Sequence, residues 1–73
     1  MTGAHLSKRS LRLAGHATSI ALEPEFWSAL ERMAAGRGLS LAALVTEQDA
    51  LRGEQPLASR LRVFALEASC GAD

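Results

Sequence analysis

Seventy-three residues make one domain at most, and a chain so short buries too little surface to be comfortably stable unless a disulfide, a metal or a second copy helps it. The single cysteine, Cys70, excludes an internal disulfide and suits a reducing cytoplasm, and His5, His16 and Cys70 lack the paired spacings of a zinc site, so no metal or other cofactor is expected and oligomerisation is the route left. Net charge is zero and the longest apolar run, Leu41 to Val45, is far short of a membrane span, which excludes a uniformly basic chain and a membrane partner; a cytoplasmic protein is expected.

Charge is nevertheless polarised along the chain. Lys8, Arg9 and Arg12 precede Ala17 with no acid among them, whereas Glu23, Glu25, Glu31, Glu47, Asp49 and Glu54 outnumber Arg32, Arg37 and Arg52 between Ala17 and Ala58. Residues 1–9 are expected to form a flexible basic arm, residues 10–69 one folded unit, and residues 70–73 a tail. Leu11 and Leu13 alternate with Ser10 and Arg12, too briefly to separate an extra strand from an ordered arm. Thr18, Ile20 and Leu22 then alternate with Ala17, Ser19 and Ala21, the period of a strand with one buried face. A lone strand leaves unpaired N–H and C=O groups on its edges, and the same segment of a second copy is its expected partner.

The first helix is predicted to begin near Glu23, with Pro24 at a position where its missing N–H costs nothing and Glu25 favourable to the helix dipole. Phe26, Leu30, Met33 and Ala34 fall on one face with Trp27 beside them, an inward stripe. Trp27 reads as packing, with an indole N–H that needs a partner. Gly38 is placed to end this helix in the left-handed region, and Ser40 to cap the next. The second helix is expected to bury Leu41, Leu44, Val45 and Leu51 before Gly53 stops it; Gln48 lies near that stripe, either buried across a dimer or exposed at its edge. Pro56 starts a third helix in which Leu57, Leu61, Phe64 and Ala68 keep helical spacing.

The run T-S-I-A-L-E-P-E-F-W-S-A-L-E-R-M-A-A-G-R-G-L-S-L-A-A-L-V, from Thr18 to Val45, resembles the ribbon-helix-helix superfamily of bacterial DNA-binding proteins. With the opening K-R-S-L-R-L-A-G-H and the later A-S-R-L-R-V-F-A-L-E, the wider chain looks like a compact bacterial subfamily of uncharacterised role. The resemblance implies a mainly α fold, with one N-terminal strand pairing across a dimer, two helices, and here a third C-terminal helix. It implies a dimer core of Thr18, Ile20, Leu22, Phe26, Leu30, Leu44 and Val45. It also implies a ribbon in the DNA major groove with Ala17, Ser19 and Ala21 facing the bases. Phosphate contacts are expected from Lys8, Arg9 and Arg12, and from the start of the second helix at Leu39, Ser40 and Leu41.

Ala17, Ser19 and Ala21 depart from that pattern, because base-reading members carry Arg, Lys, Asn, Gln or Thr there and a small side chain discriminates poorly. No residues are placed for catalysis: His16 and Ser19 have no carboxylate to orient the ring, Glu25 and Glu31 read as solvated helix acids, and no glycine-rich phosphate loop is present. The expected function is a homodimer, or a tetramer joined through the third helix, that binds double-stranded DNA in transcriptional control and is not an enzyme. The alternative is an assembly subunit that uses the same dimer to hold an unknown protein partner.

Overall fold

The computed structural model of the chain describes residues 6–70. Two strands, β1 (Ser7–Leu13) and β2 (His16–Leu22), form an antiparallel hairpin, and α1 (Pro24–Arg37), α2 (Leu41–Leu51) and α3 (Leu57–Cys70) follow. The register runs unbroken from Leu13 opposite His16 to Ser7 opposite Leu22. Ala14 and Gly15 make the two-residue turn with φ of 50° and 88°, the left-handed pair that matches the twist of a hairpin. Glycine adopts that conformation freely; alanine does so at a cost.

This hairpin corrects the expected flexible N-terminal arm. Lys8 and Arg9 lie in β1 rather than in a flexible arm, so strand structure is present from Ser7 rather than from Ser10, and Cys70, expected in the tail, is the last residue of α3; residues 1–5 and 71–73 lie outside the described residues. Within the chain, β2 pairs with β1 along one of its two edges. The physical reason is the two-residue turn, which brings the two alternations into register at almost no loop cost.

Helix boundaries follow from local chemistry. The Glu23 carbonyl accepts from the N–H groups of Phe26 at 2.9 Å and Trp27 at 3.2 Å, with Pro24 in the first helical position. Gly38 turns left-handed at φ 70°, which lets the Leu39 N–H reach the Ala34 carbonyl at 2.9 Å. Ser40 then caps α2, its Oγ accepting from the Ala43 N–H at 3.0 Å.

The helices lie on one side of the hairpin, α2 against β1, α3 against β2, and α1 against both other helices. Ile20, Leu22, Leu30, Leu44 and Val45 are all buried within the single chain, as are Leu13, Trp27, Leu61 and Ala65. Leu13 of β1 and Leu61 and Ala65 of α3 join these residues in one core within the chain. Thr18 and Phe26 stay only half-buried. Leu51, expected inside, is 65% exposed at the last residue of α2. Gln48 is buried and satisfied within the chain, its Oε1 accepting from Arg60 Nε at 2.9 Å.

Candidate nucleic-acid interface

Strand pleating sends alternate side chains to opposite faces, so the hairpin register decides which residues meet on the outside. Lys8 stands opposite Ala21, Ser10 opposite Ser19, and Arg12 opposite Ala17. All six share the face turned away from the helices; five are exposed and Ala21 is half-buried. The small residues of β2 therefore form a floor beside two long cations from β1. Among the described residues neither Lys8 nor Arg12 has a carboxylate partner. Two unpaired cations on a carboxylate-free face make a local positive surface on a chain of zero net charge.

Arg9, grouped with those cations in the sequence, points the other way. Its guanidinium carbon lies 4.9 Å from the Trp27 ring centroid, and its Nη1 is 2.6 Å from Glu31 Oε2. The Trp27 indole N–H donates to the Ser7 carbonyl at 2.7 Å, the partner that its burial demands. Arg9 and Trp27 thus fasten β1 to α1, on the face opposite Lys8 and Arg12.

At the start of α2 the three expected phosphate contacts divide. The Leu39 amide is engaged by Ala34, so it is not free for an anion. Ser40 uses its hydroxyl oxygen as the cap acceptor and retains its O–H as a donor. The Leu41 amide, first of the helix, is left open by the geometry of every helix N-terminus. Near the other end of the hairpin, Glu23 is held below the ordinary 4.5, first by its own backbone amide and then by Arg62, whose Nε lies 3.0 Å away. Arg62 therefore offsets a charge that otherwise opposes an anion there. Glu47 is lowered by its hydrogen bonds from Arg37, which is raised in turn.

No cluster of His, Cys, Asp and Glu suited to a metal ion occurs among the described residues. No helix among them is long and apolar enough to cross a membrane.

A family model described as a ribbon-helix-helix domain matches residues 6–69. The chain belongs to that family. The match takes in β1 and α3 as well as the strand and two helices after which the family is named. No protein with curated annotation matches the chain. Among solved structures it is similar to an uncharacterized protein from Bordetella pertussis Tohama I, at 40% identity and a TM-score of 0.80 over 92% of this chain. This ribbon-helix-helix chain spans 58% of the length of that protein.

Proposed function

We propose that this ribbon-helix-helix chain is a homodimeric DNA-binding protein of transcriptional control, and that the outer face of the hairpin is the surface it lays on duplex DNA. The observation that carries this reading is the pairing of Lys8 and Arg12 with a floor of small residues on one carboxylate-free face. Phosphate neutralisation supplies most non-specific affinity for DNA, and small side chains let a sheet approach the groove closely. Ala17, Ser19 and Ala21 offer no bidentate base contact, so recognition is mainly electrostatic with modest sequence preference. The Ser40 hydroxyl and the Leu41 amide add a phosphate anchor that reads no sequence.

The test is fluorescence polarisation with labelled mixed-sequence duplexes at low salt. Wild-type protein binds all of them with similar affinity, and the Lys8→Ala/Arg12→Ala variant loses most of that affinity on every sequence alike while its circular dichroism is unchanged. An unaltered affinity in the double variant would remove the hairpin face from the interface.

A second reading has its own observation. Val63 and Leu66 are exposed apolar side chains on α3, 37% and 56% accessible, one helical turn apart. They favour an assembly subunit that holds a protein partner on α3. Failure of the wild-type protein to bind any duplex would favour that reading.

A further inference from the structure

Among the described residues the sheet has two strands, so β1 has β2 on one side and an open edge on the other. A two-residue turn closes on a pair that exchanges backbone hydrogen bonds, here Leu13 with His16, and bonded and non-bonded pairs then alternate along the ladder. Ser7, Arg9, Leu11 and Leu13 therefore direct their N–H and C=O groups toward β2, and Lys8, Ser10 and Arg12 direct theirs to the open edge. The side chains of those same three residues are exposed on the outer face. The edge is already held in strand geometry, since the Ser7 carbonyl accepts from Trp27 and Arg9 pairs with Glu31. A strand added there meets a fixed template, which lowers the ordering cost of binding.

We infer that an extended acidic segment of another protein adds to the open edge of β1 as a third, antiparallel strand, its two carboxylates pairing with Lys8 and Arg12 and so competing with DNA for them. The competition rests on the DNA-binding reading above; the edge site itself does not. Charge selects the occupant. Lys8 and Arg12 have no carboxylate partner among the described residues. Charged side chains on an edge repel a strand of like charge and favour one of opposite charge. A second copy fits poorly here, because pairing β1 with itself about Ser10 sets Lys8 against the other copy's Arg12. Neither β1 nor β2 holds an acid that could relieve this.

The ladder fixes the pattern of such a segment. Residues directly opposite one another share a face. In an antiparallel register centred on Ser10, the first residue of the segment stands opposite Arg12, the third opposite Ser10 and the fifth opposite Lys8. The first and fifth are therefore acidic, and the third is small and polar. Lys8 and Arg12 lie four residues apart, about 13 Å along the strand, so carboxylates closer in sequence reach only one of them. The second residue stands on the inner face opposite Leu11, which is half-buried against the core, and is therefore apolar. The fourth stands opposite Arg9, whose charge Glu31 already meets, so no acid is required there. Main-chain bonds to Lys8, Ser10 and Arg12 supply affinity, and the order of side chains supplies specificity.

The probe is a capped synthetic peptide with the core Glu-Val-Thr-Thr-Glu, titrated to millimolar concentration into the isotope-labelled full chain and followed by nuclear magnetic resonance. It should shift the amide signals of Lys8, Ser10 and Arg12, and release a labelled duplex in fluorescence polarisation. Methylating the backbone nitrogen of the central Thr, whose N–H faces β1, should weaken binding at least about tenfold, and methylating the next Thr, whose N–H faces away, should not. Lys8→Glu/Arg12→Glu, folded by circular dichroism, should lose this peptide and bind Lys-Val-Thr-Thr-Lys instead. No shift at those amides, or equal binding of the centrally methylated peptide, overturns the third strand, the latter leaving electrostatic attraction only. Duplex binding by wild-type protein with no peptide bound overturns the edge site and leaves the DNA reading standing. Peptide binding with no duplex binding overturns the DNA reading and the competition, and leaves the edge site. Peptide bound without release of the duplex overturns the competition alone.

Discussion

Leu61→Ala tests whether α3 closes the core of its own chain. Leu61 is fully buried, beside Ala65 on α3 and among core residues contributed by the hairpin and the other two helices. Truncating a buried leucine costs about 2–5 kcal/mol, the lost transfer energy plus the cavity left behind. A chain of 73 residues has a total stability of roughly 4–11 kcal/mol. The substitution thus removes a large fraction of it. At about 4–8 °C per kcal/mol for a domain of this size, the melting temperature should fall by at least ~10 °C. The assay is thermal unfolding by circular dichroism at two protein concentrations tenfold apart. The drop should have the same size at both, since the cavity lies within one chain. A fall of only a degree or two would show that α3 is an accessory. A fall that depends on concentration would return the core to two chains.

Three further outcomes follow from local chemistry. Ala14 holds a positive φ in the hairpin turn, a strain of about 1 kcal/mol for a non-glycine residue; Ala14→Asn creates the Asn-Gly preferred there and should raise the melting temperature by several degrees, whereas an unchanged melt would mean the turn carries no such strain. Ser40→Ala removes the cap of α2 and should destabilise by about 0.5–2 kcal/mol in urea unfolding, a loss that Ser40→Asp restores; equal stability of all three proteins would refute the cap. Glu23 and Glu47 are both lowered in the folded protein, Glu23 first by its own amide and Glu47 first by Arg37. The unfolded chain then binds protons more readily, so their contribution is present above the ordinary value of 4.5 and lost as pH falls through the lower folded values. Stability should be level down to that value and decline below it, less steeply in Glu47→Gln; an identical acid limb in that variant would contradict the pairing with Arg37.

Much of the fold is legible in the sequence because its signals are local. The alternation from Ala17 to Leu22, Pro24, Gly38 and Ser40 each mark a boundary through their own backbone chemistry, and each stands where that chemistry puts it. Strand β1 is half-hidden, because the visible alternation from Ser10 to Leu13 is short and Ala14 lacks the turn propensity of asparagine. Arg9 cannot be separated from Lys8 and Arg12 by sequence position, since its partners Trp27 and Glu31 come from the following helix. A period-two reading extended back to Ser7 would place it on the inner face. Helical spacing misplaces Leu51 because it says nothing about where the chain turns away. The burial of Ile20 and Leu22 is readable from their alternation, but not that α3 of the same chain lies against β2.

The salt dependence of duplex binding tests the proposed interface most directly. Lys8 and Arg12 from two chains contact four phosphates, which gives a slope of log affinity against log salt of about −3.6; with Arg9 also engaged it would be about −5.4. A slope near the smaller value, largely lost in Lys8→Ala/Arg12→Ala and unmoved in Arg9→Ala, is the expected result. No binding to any duplex at low salt, or a slope that the double variant leaves unchanged, would contradict it.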